Sequence, residues 1–240
     1  MTVKSKVILL SVFITCCLVA ALFLLLIHNL NGFLEKRALE DAARLRSAFL
    51  LLFEKEKNGL EEHIPDYTMW TELGERAVVE RNEAWIKENL EPWVREQFGY
   101  SVLLVEEGGE MIAISPDWPF QPGEFPPSSL SKAVFLRSGD DLWVVVTGEV
   151  TNDEGDKEYG AFLSFARRLD AELFREWSQI LGCEIEDVSS GVFPPEWSNL
   201  PSFWQNKCAF TQGGYLYVDL EIPQDSGGAP QRFLLRKRYD

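Results

Sequence analysis

Two short stretches bring together side chains able to recognise a ligand. Asp66 and Trp70 are four residues apart, as are Trp85 and Asn89, so on a helix each pair faces one side. A carboxylate beside an indole suits a cationic or amphipathic small molecule, held by charge pairing and by attraction of the cation to the ring face. Asp66, Tyr67, Trp70 and Trp85 are therefore the candidate lining of a binding pocket. The competing reading places both tryptophans in the core and leaves Asp66 as a helix cap beside Pro65.

Little else in the chain points to chemistry. Of its two histidines, His28 follows a long apolar run and His63 stands alone between helical patterns, so neither a His-based metal site nor a His-dependent triad can be assembled. No Gly-rich loop that would cradle a phosphate occurs, and the stretch 152–156 lacks the frame of a calcium loop and reads as a solvated turn. No catalytic residue, metal or cofactor is expected. Cys183 and Cys208 are the two cysteines outside the apolar run. In an oxidising compartment they could pair, and the alternative is two buried free thiols.

The positioning elements begin with residues 7–27, which carry no charge and only Ser11 and Thr15 as polar interruptions. At about 1.5 Å per residue this run spans a hydrocarbon core of roughly 30 Å as a helix. A signal peptide has an apolar core of only about 7–15 residues, so an uncleaved anchor is expected. Lys4 and Lys6 precede it, which favours an N-terminus in the cytoplasm. All 38 acidic side chains but only 21 of the 23 basic ones lie beyond it, leaving a net −17. Such a surface repels nucleic acid and anionic lipid heads, so no nucleic-acid partner is expected. A hydrophobic content of 46% and eight tryptophans exclude a disordered chain.

From Asn29 to about Leu60 the pattern is helical, and Ala38, Ala42, Leu45, Phe49 and Leu52 form one apolar stripe. The stripe either docks on the chain's own domain or pairs with a second copy, or does both along its length. A break or bend is expected near Asn58-Gly59, with Pro65 in the first turn of a new helix. Asn82 caps a further helix through Trp85, Ile86, Leu90 and Trp93 to about Gln97. After Gly99 the apolar period shortens to two. Strands are expected over 100–106 and 111–115, over 141–150 and 159–167, over 183–188, and over 215–222 and 232–238. Between them lie Pro-rich loops at 116–127 and 191–206, a last turn at 224–228, and an amphipathic helix over 169–181 with Leu169, Leu173, Trp177 and Ile180 on one face. The fold class is α+β, long helices first and antiparallel strands afterwards.

Asp66-Tyr67-Thr68-Met69-Trp70-Thr71-Glu72, with Arg81-Asn82-Glu83-Ala84-Trp85-Ile86-Lys87-Glu88-Asn89-Leu90, resembles the extracellular sensory domain of CHASE type, fourth class. The resemblance continues through the hairpin at 100–115, the strand of residues 160–170 ending in Arg167-Arg168, and the turn Asp225-Ser226-Gly227-Gly228-Ala229-Pro230. It covers residues from about 30 to 238, and Thr71 stands where the family usually has an acidic residue. The resemblance implies a signal-input module of bacterial or archaeal histidine kinases and cyclic-di-GMP cyclases or phosphodiesterases, with a PAS-like or Cache-like sheet, usually dimeric and without catalytic residues.

The expected organisation is thus a cytoplasmic N-terminus over 1–6, a transmembrane anchor over 7–28, a stalk helix over 29–63 and an extracytoplasmic PAS-like domain over 64–240. The expected setting is the inner membrane, crossed once, with a homodimer formed through the stalk, a small molecule or a partner as the ligand, and an output carried either by a separate protein or by the rest of a longer receptor of which this chain is a truncated part. The alternative function is an envelope interaction protein whose ectodomain binds a partner chain and no small ligand.

Overall fold

The computed structural model describes residues 3–121, 132–139, 141–187, 209–212, 215–222 and 231–238. The loop at 191–206, the turn at 224–228, the motif at 225–230, Val188 and Cys208 lie outside the described residues, as does part of the loop at 116–127.

One helix, α1, runs Val3–Thr68. Phe13, Leu18, Leu22, Phe23 and Leu26 are all exposed on its first part, and it is long and apolar enough there to cross a membrane. Farther along, Ala42, Leu45 and Phe49 of the predicted stripe are buried, with Ala38 and Leu52 packed at its margin. The stripe docks on the chain's own sheets. The break expected at Asn58-Gly59 does not occur, and Pro65 lies inside the last turn of α1 and opens no new helix. Local propensity is overridden here by burial of Phe53, Leu60 and Ile64 on both sides of Gly59. The buried carboxylate of Glu56 adds to this, forming an ion pair with Arg167 at 2.6 Å.

The chain leaves α1 at Met69, which forms an isolated bridge with Thr151, and Trp70 is extended. A short helix α2 (Thr71–Leu73) runs into a π-helical turn, Gly74–Val79. The helix expected from Asn82 to about Gln97 is two helices, α3 (Glu83–Asn89) and α4 (Glu91–Phe98). Pro92, which lacks an N–H and clashes with the preceding turn, tolerates only the start of a helix and so divides them. Asn82 caps α3 as predicted, accepting from the Trp85 N–H at 3.0 Å. Gly99 ends α4 in the left-handed region at φ 70°, a conformation that costs glycine nothing.

The strands are β1 (Ser101–Glu106), β2 (Met111–Ile114), β3 (Val134–Ser138), β4 (Asp141–Thr151) and β5 (Glu158–Leu169). They form one antiparallel sheet in the order β2-β1-β5-β4-β3. After them come β6 (Glu184–Asp187), β7 (Ala209–Gln212), β8 (Tyr215–Ile222) and β9 (Gln231–Arg238), a second antiparallel sheet in the order β6-β9-β8-β7. Each expected pair is present, and β3 and β7 are additions. The α+β class with a long N-terminal helix and antiparallel sheets is as predicted. Helix α5 (Ala171–Leu181) buries Leu173 and Trp177. Two residues of its expected face depart: Leu169 is the last residue of β5, and Ile180 is 68% exposed. Asp170 caps the helix through the Glu172 and Leu173 N–H groups, so the first turn starts later than the apolar spacing implies.

Both sheets meet on one turn of α1. The Phe53 ring lies 5.3 Å from Phe135 of β3, 5.5 Å from Phe233 of β9 and 4.9 Å from Trp177 of α5. Higher on α1, Gly148 of β4 passes so close that an added Cβ would sit 2.7 Å from Thr68 Cγ2 and 3.3 Å from Ile64 Cγ1. Gly148→Ala is expected to lower stability by about 1–3 kcal/mol through overpacking, read as a lower midpoint in thermal or denaturant unfolding.

Candidate functional site

The last turn of α1, the extended step at Trp70 and the faces of α3 and α4 enclose an open cleft of about 450 Å³. Asp66, Tyr67, Trp70, Asn89, Trp93 and Phe98 line it. Three of the four predicted residues are therefore brought together. Asp66 and Trp70 do not share a helix face as expected, because α1 ends at Thr68 and Trp70 is extended at φ −128°, yet both reach the same cleft. Nor does Asp66 act as an N-terminal cap, since it lies in the last turn of α1. Trp85 stands behind the wall, its ring 5.1 Å from that of Trp70. Asn89 donates to the Trp85 carbonyl at 2.9 Å and contributes its side chain to the lining.

The rings meet at steep angles. Tyr67 lies 6.5 Å from Trp70 at 81° and 6.0 Å from Trp93 at 48°, and Trp93 lies 5.8 Å from Phe98 at 72°. Trp93 and Phe98 were not among the predicted lining. The signal for Trp93 was present in the spacing of Trp85, Asn89 and Trp93. For Phe98 no spacing pointed to the cleft, because its place depends on the break between α3 and α4.

Trp70 is positioned from outside the cleft by the turn between β4 and β5. Thr71 donates through its hydroxyl to Asp153 Oδ2 at 2.8 Å, and the Asp153 N–H donates back to it at 3.0 Å. The departure from the family pattern at Thr71 thus has a structural role. Glu75 accepts from Lys157 Nζ at 2.6 Å and from the Tyr159 hydroxyl at 3.1 Å, and these bonds hold its carboxyl below the usual range. The stretch 152–156 is the solvated turn expected, and among the described residues no group of three or more His, Cys, Asp or Glu is placed to hold a metal.

Phe98 also faces away from the cleft toward α1. Its ring is 4.2 Å from that of His63, whose Nδ1 is 3.0 Å from the Tyr100 hydroxyl. Burial raises the Tyr100 phenol, while the nearby positive charge of Arg167 pulls the other way. Arg167 in turn bonds to Glu56 of α1. The His63–Tyr100 and Glu56–Arg167 pairs, each buried or half-buried, thus fasten α1 at two heights.

A larger cleft of about 620 Å³ lies between the end of α4, the end of β5 and α5. Most of its polar lining is already committed. Arg168 bonds to Asp141 at 2.7 Å, Arg167 to Glu56, and Asp117 faces Arg95 at 3.8 Å. Asp170 is the cap of α5. The aromatic cleft, whose carboxylate is unpaired among the described residues, is the better candidate for a ligand. Cys183 is a buried thiol pushed up to about 11 by burial, and Cys208 lies outside the described residues.

Burial, then the charge of Asp66, pushes the Tyr67 phenol from an ordinary 10.0 up to about 12. The folded state therefore favours the neutral phenol. Its contribution to stability is complete below pH 10 and is lost as pH rises from about 10 to about 12. Tyr67→Phe is expected to reduce that alkaline loss and to leave neutral-pH stability close to that of the unaltered chain, measured by denaturant unfolding across this pH range.

A family model of the CHASE4 domain matches residues 52–186, more than half of the chain. No curated protein matches it in sequence. Among solved structures the chain is similar to the periplasmic domain of LuxQ from Vibrio cholerae, with a TM-score of 0.59 at 8% identity, covering 82% of this chain and 98% of that one. A second crystal structure of the same LuxQ domain gives a TM-score of 0.56 at 11% identity, covering 84% and 99%. At such identities the likeness is one of fold.

Proposed function

This chain belongs to the CHASE4 domain family, and from that premise we propose that it is the signal-input part of a membrane-anchored receptor. It takes a small molecule in the aromatic cleft and passes the event down α1. The observation that carries this reading is the double role of Phe98. One side of the ring lines the cleft, and the other rests on His63 of the helix that continues into the apolar run. A ligand that binds one position of Phe98 better than another biases α1 by that difference in affinity.

Residues 7–28 anchor the protein in the inner membrane, with Lys4 and Lys6 on the cytoplasmic side and the acidic remainder outside. The part of α1 between the anchor and Ala42 exposes Leu30, Phe33, Leu34 and Leu39, a surface fitted to a second copy of the stalk. The movement of α1 is read by an output that is a kinase, a cyclase or a phosphodiesterase.

A thermal-shift screen of the full chain in detergent against metabolites tests the input. At least one stabilising compound is expected, and Trp70→Ala, with its circular dichroism unchanged, should abolish the shift. The absence of any hit across a broad library counts against a small-molecule sensor and favours the interaction protein. Topology has its own measurement: protease added outside spheroplasts should digest the acidic portion and leave a membrane-bound N-terminal fragment. Protection of that portion, or a mature chain starting beyond residue 28, would remove the anchor.

A further inference from the structure

We infer that the cleft receives an alkylated ammonium group, the head of a tertiary or quaternary organic cation. This rests on the cleft being the input site and specifies the class of molecule that enters it.

Three sources of negative potential converge there. Asp66 is the one formally charged side chain among the six lining residues. It is exposed and has no ion pair or hydrogen bond among the described residues. The second source is the end of α1 itself. The helix stops two residues beyond Asp66 with no basic side chain in its last turn, so the negative end of its dipole is left without a compensating charge. The third is the π-electron density of the four aromatic rings that line the opening, Tyr67, Trp70, Trp93 and Phe98. The raised Tyr67 phenol responds in part to Asp66 and is consistent with this field. An anion is excluded.

The lining also discriminates among cations. Its hydrogen-bond acceptors are the Asp66 carboxylate, the Asn89 amide oxygen and the Tyr67 hydroxyl, and the remaining wall is aromatic carbon. A primary ammonium would need all three acceptors at once to replace its bonds to water, and would otherwise turn N–H donors onto aromatic carbon. A metal ion needs several oxygen ligands, and the cleft has a single carboxylate. A methylated ammonium carries its charge on apolar surface, needs no acceptor, and gains both from the rings and from Asp66. With Trp93 53% exposed at the mouth, a tail on the cation can extend into solvent.

Quenching of tryptophan fluorescence in the full chain, solubilised in an uncharged maltoside detergent, tests this with three probes. These are choline, its uncharged carbon isostere dimethylbutanol, and ethanolamine, which has a primary ammonium. Choline should bind, and the other two should bind at least about tenfold more weakly. Asp66→Asn should weaken choline about threefold to tenfold, and Trp93→Leu about tenfold, with circular dichroism unchanged. Equal binding of dimethylbutanol would show an apolar pocket indifferent to charge, and equal binding of ethanolamine one indifferent to alkylation. Either result overturns the inference, as does choline binding that survives both substitutions or is absent at millimolar concentration. The sensor reading stands or falls separately, on whether the metabolite screen yields a hit that Trp70→Ala removes.

Discussion

Phe49 and Phe53, one turn apart on α1, are the contact on which the architecture depends. Their rings lie 4.9 Å from each other, and together they touch Phe135 of the first sheet, Phe233 of the second and Trp177 of α5. Neither sheet packs mainly on the other, so each buries its apolar face against the same helix. Burying such rings contributes about 1.5–3 kcal/mol apiece relative to exposure. The energetic consequence is that α1 cannot shift along its axis without disturbing both sheets, because close-packed interiors resist continuous deformation.

Polar groups refine that constraint. Glu56 is buried on α1 and its charge is compensated by Arg167 of β5, while Tyr100 contacts His63. A buried ion pair adds little net stability, but separating its members leaves an uncompensated charge at a cost of about 3–5 kcal/mol. The apolar turn at Phe49 and Phe53 therefore supplies adhesion, and Glu56 with His63 defines which height of α1 faces β5. Phe98, resting on His63, brings the aromatic cleft into the same register.

The upper end is held differently. The turn between β4 and β5 grips the segment after α1 through Thr71 with Asp153 and through Glu75 with Lys157 and Tyr159, all at or near the surface. Solvent screens pairs of this kind, so each holds only weakly. The Tyr159 ring also occupies the space that a side chain at position 74 would need. Trp70 is thus carried on a segment with looser attachment than the body of α1.

Residue order alone was enough for the apolar run of 7–27, the stripe at Ala42, Leu45 and Phe49, the strand pairs and the cap at Asn82. Each is a local or periodic pattern whose burial or hydrogen bond follows from chain geometry. The same spacing placed Asp66, Tyr67 and Trp70 near one another, though by way of a helix that in fact ends between them. What only the tertiary structure decided was the continuity of α1 through Gly59 and Pro65, the strands β3 and β7, the exposure of Ile180, and the entry of Trp93 and Phe98 into the cleft. Local preferences of about 1 kcal/mol for glycine and about 3 for proline were outweighed by packing from residues distant in sequence. A cleft wall built from α1, α3 and α4 exists only after those helices have been brought together, and no spacing within one segment encodes that meeting.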